Sequence, residues 1–481
     1  MERYGIDLGT RNTAVECPSG ALTMAHGATI PSAVAYDQLS NDVKFGEEAI
    51  QLLREQNSEV RARWHVATSF KTALASDAPF VRTPRGSKTA REVLEDYFRW
   101  LVTQAERKGL PKLSRAVFAI PVGFDPLSRQ RMLGAARAAG IEPIGIVTES
   151  TAAFITVAQH LGLVERVAVV DWGAGTLDVS VLKIFGSAAV GMHVEEHACK
   201  GSRVAGDQID ISVYEFFVAS ARREGKTVPQ RDEIPKELMR SVLRVCELEK
   251  ISLSEKETDQ EETDVTFVKF VDGSPATFRF SAAHLRGISA PACAEVLHVV
   301  TAALADAGLT ADQLDRVIFV GGCTGIIGFR EAAEKQFGRA VIYPDAPEWA
   351  VARGAIEVAR GGTAYECQQE FGCVLDDGRF LTLTKSPAKF DGTSMTVTVA
   401  CTEQAINASL IFADRQTDKV TMAGSLSVPL QGHLGEPIHI RTTLNHDLTV
   451  RIEAWSRCCN ADEDVRRLDL TDTRFRFKLD A

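Results

Sequence analysis

Apolar and polar positions change rhythm three times along the chain. From Tyr4 to Tyr36 they follow a strand pattern. Tyr4-Gly5-Ile6 leads into Asp7-Leu8-Gly9-Thr10, Thr13–Cys17 leads out, and Pro31–Tyr36 follows, with side chains alternating between faces. Residues 46–59 predict a helix, and residues 88–108 predict a longer amphipathic one, with Val93, Leu94, Phe98, Leu101 and Val102 at helical spacing. Ala116–Ile120 is an unbroken apolar strand stopped by Pro121. Ser128–Ala139 is then a helix closed by Gly140, and 150–161 another apolar helix.

The opening rhythm then restarts. Val167–Val170 predicts a buried strand, Asp171-Trp172-Gly173-Ala174-Gly175-Thr176 a turn, and Leu177–Ile184 a return strand. Helices are expected over 208–221 and 283–306. Between them, 226–275 is charged and is expected to form an insertion with its own surface, built from helix Leu238–Leu253 and a hairpin-like Val265–Val271. Val317–Val320 is a strand ending in Gly321-Gly322, followed by helices over 327–337 and 350–358. A strand-meander-helix order thus occurs twice, over about 1–165 and 166–360. Two such α/β lobes facing each other leave a cleft at their strand ends, where ligands bind in folds of this class.

After Gly361-Gly362 the period becomes two. Phe380–Leu383, Met395–Val399, Ala408–Phe412, Ile438–Ile440 and Leu448–Ile452 alternate, and turn signals recur between them. A small all-β domain over 370–481 is expected, joined by a linker at 361–369.

Composition narrows the classes. Of 481 residues, 45% are hydrophobic and 25% charged, ordinary for a globular protein. A net charge of −10 argues against a nucleic-acid or anionic-membrane partner. The N-terminus reads straight into a strand, and no apolar run is expected to span a membrane, so a cytoplasmic location is expected. The ten cysteines, Cys458-Cys459 among them, show no CxxC or zinc spacing, which suits a reducing compartment.

The chemistry concentrates at the repeated turn. Asp7 and Asp171 end apolar strands at the cleft, with Asp178 on the return strand. A carboxylate holds Mg²⁺ through water, and the metal bridges phosphate oxygens. Gly9, Gly173 and Gly175 let backbone N–H groups approach those oxygens, and Thr10 and Thr176 add hydroxyls. One such turn is an ordinary connection; two at the heads of two lobes are a phosphate clamp. Glu247, Lys250 and Ser254 share a helix face that reads as solvated when taken alone. His193-Val194-Glu195-Glu196-His197 matches an inverted zinc-protease motif, but it lies among strands, where that chemistry lacks its helix.

These residues resemble the actin-like ATPase superfamily and, within it, the seventy-kilodalton heat-shock (DnaK-type) chaperones. Ile6–Thr10 and Asp171–Asp178 resemble the two phosphate loops. Ile146–Ala153 (IVTESTAA) is similar to the connecting segment, and Val320–Thr324 with Pro347–Gly354 to the adenosine motif. The fold implied is a pair of duplicated actin-like lobes around a central cleft, followed by a small β-sandwich. The resemblance implies ATP or ADP with Mg²⁺ as cofactors, with Asp7 and Asp171 organising the metal and Lys71 approaching the γ-phosphate. It gives Glu149, Thr176 and Asp178 to the attacking water, and Glu247, Lys250, Ser254, Gly321 and Gly322 to the nucleotide. Pro121 and Arg129 match a pair that signals between the ATP and substrate sites. The activity implied is slow ATP hydrolysis by a chaperone that binds extended or unfolded polypeptide and works with a nucleotide-exchange factor.

Departures from the family are specific. Gly361–Gln369 has no acidic-leucine linker, and no helical lid is expected after the β-domain. Gly325 stands where the family has an arginine beside adenine, Ala174 where it has glycine, and Arg11 where it has threonine. Gly145 and Thr148 replace residues that serve J-domain co-chaperones, so a standard J-domain partnership is not expected. The main rival reading is a nucleotide-dependent regulatory module that holds ATP with little or no hydrolysis. A filament-forming or sugar-phosphorylating relative is disfavoured by the β-rich C-terminal region.

Overall fold

The structure is a computed structural model. It describes residues 2–479 apart from 25–26, 54–57, 159, 162, 188–190, 257–260, 362–363, 417–418, 457–464, 472 and 474. Two compact units separate. The first comprises Met1–Pro143, Val147–Ser187 and Glu196–Arg360, and the second Ile144–Ile146, Ala188–Glu195 and Gly361–Ala481.

Inside the first unit the same strand plan occurs twice. Strand Tyr4–Leu8 runs parallel to Arg115–Ile120 and antiparallel to Asn12–Cys17. Strand Arg166–Trp172 runs parallel to Arg316–Val320 and antiparallel to Leu177–Ser187. Buried on both faces, the two central strands read as near-continuous apolar runs. Each carries its aspartate one residue before its end, where Asp7 and Asp171 are half-buried and the neighbouring Leu8 and Trp172 stay in the core.

Helix Ala90–Arg107 starts on a Thr89–Glu92 capping box and buries Val93, Leu94, Tyr97, Phe98 and Leu101. Helix Pro126–Ala138 is capped by Asp125, and Gly140 follows it at φ +83°. Helix Ala350–Gly361 lies against two elements at once. Ala352 O approaches Gly5, and Gly354 meets Ala152 of helix Glu149–Ala158. Both contacts need glycine, since a Cβ at either place would overlap backbone.

Three expectations change. The single helix over 46–59 is a helix Gly46–Gln51 and a separate helix Ser58–Arg63. The charged 226–275 stretch is not a free-standing insertion. Helix Lys236–Ser254 supports a hairpin of Glu262–Phe267 with Ala276–Ser281, whose Phe267, Phe278 and Phe280 join Phe270 and Phe217 in the core of the second lobe. Each buried phenylalanine contributes roughly 1.5–3 kcal/mol, enough to fold the segment inward. Lastly, among the described residues one helix, Ala282–Asp306, is long and apolar enough to cross a membrane, with a mean hydropathy of 1.6. Its Leu285, Val296, Val300, Ala303 and Leu304 are buried in that same core, and this packing accounts for its apolar character.

The second unit contains two four-stranded antiparallel sheets. One has the order 380–384, 370–374, 407–416, 419–429; the other 394–400, 437–444, 450–456, 466–470. Gly424 of the first sheet sits against the Leu468 side chain of the second, which brings the sheets face to face. The stretch read as linker is partly strand: Ala364–Cys367 pairs with Phe475–Leu479 and Ala388–Lys389. Buried Tyr365 stacks edge-on against Phe475 and Phe477, so aromatic packing holds these distant segments together.

Candidate functional site

The two glycine turns of the first unit face each other. A Cβ on Gly175 would lie 3.0 Å from Thr10 Cγ2, so the turns touch. Gly9 is required where it stands, because a Cβ there would come within 2.3 Å of Asn12 O. Gly321 adopts φ +85°, and a Cβ on it would come within 2.6 Å of Asp171 Oδ1. Glycine there therefore admits the aspartate carboxylate beside the strand end. Together these elements wall a cavity of about 480 Å³. Asp7, Gly9, Thr10, Lys71, Glu149, Asp171, Gly173, Gly175, Thr176, Glu247, Lys250, Ser254, Gly321 and Gly322 all line it. Asp178 is the direct cross-strand partner of Asp171, which puts both carboxylates on one face of the sheet.

Charge at the cavity floor is unbalanced. Lys71 Nζ donates to Glu149 Oε1 at 2.7 Å, with the two residues 6% and 7% exposed. Burial works against the lysine's charge, but Glu149 and Asp7 outweigh it and hold its pKa above the ordinary value. The same crowding acts in reverse on the acids. Asp7 keeps a face open to the cavity, yet dense protein around it, and then Glu149, push its carboxyl up to about 7. Burial and Glu149 raise Asp178 to about 6, and burial with Glu149 and Asp7 raises Asp171 well above the carboxylate range. One lysine does not balance four carboxyl groups, so ionising all of them at once is costly. A cation entering here would be favoured by the excess.

The helix face opposite is already paired. Lys250 Nζ lies 2.7 Å from Asp210 Oδ1 and donates to Gly206 O at 3.1 Å. Ser254 Oγ donates back to Lys250 O at 2.7 Å. Glu247 takes Arg244 at 2.6 Å and Arg11 at 3.5 Å. Gly325 has open space where a side chain would project. Arg129 is buried on helix Pro126–Ala138 and Pro121 opens the turn before it, while neither lines the cavity.

The model of the Hsp70 protein family matches residues 3–423. The chain belongs to the Hsp70 family. A curated relative, the chaperone protein HscA homolog of Chromobacterium violaceum, is 29% identical over 373 residues. That match takes in 73% of this chain and 57% of the relative, so the chain matches little more than half of that protein's length.

The site's residues fit the nucleotide and metal that an Hsp70 implies. Among the described residues no three or more His, Cys, Asp or Glu side chains converge as a metal cage. Mg²⁺ delivered with phosphates does not need one, since one or two carboxylates and water complete its shell. Asp7 and Asp171 are the carboxylates at the two turns, and the turns' glycines leave room for phosphate oxygens.

Several site residues escaped sequence reasoning. Asp207, Asp210 and Arg244 form a charged wall with Arg11, which the sequence marks only as a departure from the family's threonine. Glu196, part of the protease-like motif, is instead half-buried and accepts Thr148 Oγ1 at 2.6 Å and Ser150 Oγ at 2.8 Å. It thereby supports the turn that presents Glu149. Its neighbours His193 and His197 lie in an extended strand, where four residues span roughly 13 Å, too far for one metal. The eight described cysteines are free, and Cys458-Cys459 lies outside the described residues.

Proposed function

We propose that this Hsp70-family chain is an ATP-binding and ATP-hydrolysing chaperone that holds extended or unfolded polypeptide on its C-terminal β-sheets. The observation that carries the reading is the pair of touching glycine turns, each following a strand with an aspartate one residue before its end, beside the buried Lys71–Glu149 pair.

In this reading the backbone N–H groups around Gly9, Gly173 and Gly175 bind phosphate oxygens. Asp7 and Asp171 would hold Mg²⁺, which would supply charge neutralisation at the phosphates. Lys71 adds positive charge where the transferring group becomes more negative. Glu149 orients the attacking water, and Thr176 and Asp178 complete its surroundings. Most of the rate in such a reaction comes from positioning and fixed charge. That the HscA homolog is a chaperone protein supports the polypeptide half of the proposal.

The regulatory alternative, in which nucleotide is held with little hydrolysis, is favoured by one feature. The Glu149 carboxylate is committed to Lys71 at 2.7 Å, which competes with its use on water.

Turnover of ATP by the purified protein, alone and with unfolded peptide, separates the two. Slow turnover accelerated by peptide is expected. Tight ATP binding with no single-turnover hydrolysis would establish the regulatory module instead.

A further inference from the structure

Arg11 follows the first turn directly and reaches across the cleft. Its Nη2 and Nε lie 2.6 and 3.0 Å from Asp207 Oδ1, and its Nη1 lies 3.5 Å from Glu247 Oε2. Both ends of this tie are fixed. On the first lobe, Arg11 O accepts Ser32 N–H at 2.7 Å, and Ser32 Oγ donates to Gly9 O at 2.9 Å. On the second, Asp207 N–H donates to Ala174 O at 2.8 Å and Gly206 N–H to Gly173 O at 3.2 Å. One arginine therefore links the first turn to the residue from which the second turn hangs. We propose that Arg11 is a latch between the two lobes, closed on Asp207 and Glu247, and that it sets how long a nucleotide stays in the cleft.

Exposed ion pairs contribute little, because water and salt screen them. This one differs in three respects. The guanidinium is 29% exposed and the Glu247 side chain 11%, so one of its two partners is shielded while Asp207, at 38%, stays open to water. Two of its nitrogens converge on a single carboxylate oxygen, which rigid arginine holds better than lysine does. And Arg244 shares Glu247, so two guanidiniums and two carboxylates balance, leaving no net charge for phosphate to pull apart. The cavity is walled by both lobes, so a ligand leaves when they part, and parting breaks these contacts.

The lifetime half of the proposal rests on the nucleotide reading; the latch itself does not. Two measurements keep them apart. The first is stopped-flow release of a fluorescent ADP with Mg²⁺ from wild type, Arg11→Ala, Asp207→Ala and the double variant. Arg11→Ala is expected to release it about tenfold faster and Asp207→Ala somewhat less, since interface changes act mainly on off-rates, and the double variant no faster than Arg11→Ala alone. Additive effects, no effect, or an effect of Arg11→Ala with none from Asp207→Ala would overturn the latch. The last pattern would make Arg11 a direct phosphate contact. The second is hydrogen exchange at the amides of 173–176 and 206–207 in nucleotide-free protein. Faster exchange in Arg11→Ala, partly restored in Arg11→Lys, is expected, and unchanged protection overturns the latch. Should wild type bind no nucleotide at all, the functional reading fails while the exchange measurement still decides the latch.

Discussion

Lys71 Nζ and Glu149 Oε1 are 2.7 Å apart, with neither side chain more than a tenth exposed. This pair has two consequences for one substitution. Lys71→Ala removes the positive charge facing the transferring phosphate, and loss of one such contact costs about 10²–10³ in rate. It also strands a buried carboxylate, for which breaking a buried pair costs about 3–5 kcal/mol. The expected outcome is nucleotide binding retained, single-turnover hydrolysis slowed by that factor, and a lowered urea midpoint. Pairing it with Glu149→Gln should recover most of the stability and none of the rate. Unchanged single-turnover hydrolysis in Lys71→Ala would remove the lysine from the chemistry.

The helix crossing beneath the first strand gives a stability test with no catalytic residue in it. A Cβ at Gly354 would sit 1.9 Å from Ala152 O, a backbone atom that cannot rotate aside. Replacing helical glycine by alanine gains about 1 kcal/mol of helix propensity. Overpacking costs typically 1–3 kcal/mol, and here the overlap is with main chain. Gly354→Ala should therefore be destabilising in urea titration. Gly5→Ala strains the same helix at Ala352 O, 2.3 Å away, so the two should be less than additive. A stabilised Gly354→Ala protein would show that the two helices part at no cost and that close packing does not require glycine there.

What could be read from the sequence was local. Asp7 and Asp171 stand out because an apolar strand, an acid and glycines are contiguous, and the copy lies in the same chain. Phe278 and Phe280 alternate as a strand should, so the second arm of the hairpin is legible in the pattern, past the turn that contains Val271. Other features were not legible at all. Arg11 and Asp207 are 196 positions apart, and nothing in either neighbourhood names the other. Ala364–Cys367 is four residues long and becomes a strand because Phe475 and Phe477 pack on Tyr365 from more than a hundred positions away. Glu247 and Lys250 share a helix face by period alone, but that they are paired rather than solvated is set by the tertiary fold.

The Glu247 carboxylate carries a pH test. Burial alone would raise it, but the guanidiniums of Arg11 and Arg244 outweigh burial and hold it below its ordinary value of 4.5. A folded-state value below the unfolded one means that the charged form stabilises the fold. That stability is complete above the unfolded value and is lost as pH falls through the folded one. Glu247→Gln should thus be less stable than wild type at pH 7, with the gap closing only below about 4.5. Urea unfolding of both proteins at pH 7, 5 and 4 measures it. A gap that already closes between pH 7 and 5 would contradict the pairing.

Asp7 and Asp171 should trade stability for metal binding. Their carboxylates are pushed upward by burial and by each other's neighbourhood, and Lys71 offsets only part of that cost. In the empty protein each is therefore a liability. Asp171→Asn, which keeps the shape and drops the charge, is expected to stabilise the nucleotide-free protein by about 1 kcal/mol, the usual gain when a strained functional group is relieved. The same change should abolish the effect of Mg²⁺ on ATP affinity. In wild type, chelating Mg²⁺ should weaken ATP binding by about 10–100-fold, or 1.4–2.8 kcal/mol, while adenosine binding stays constant. Calorimetric titration of ATP and of adenosine, with Mg²⁺ and with chelator, reads both effects. The decisive pattern is the combination: a variant that melts higher when empty and no longer distinguishes magnesium from chelator. A variant less stable than wild type, or one that retains the full magnesium dependence, would mean that the Asp171 carboxylate is structural and that the metal is held elsewhere.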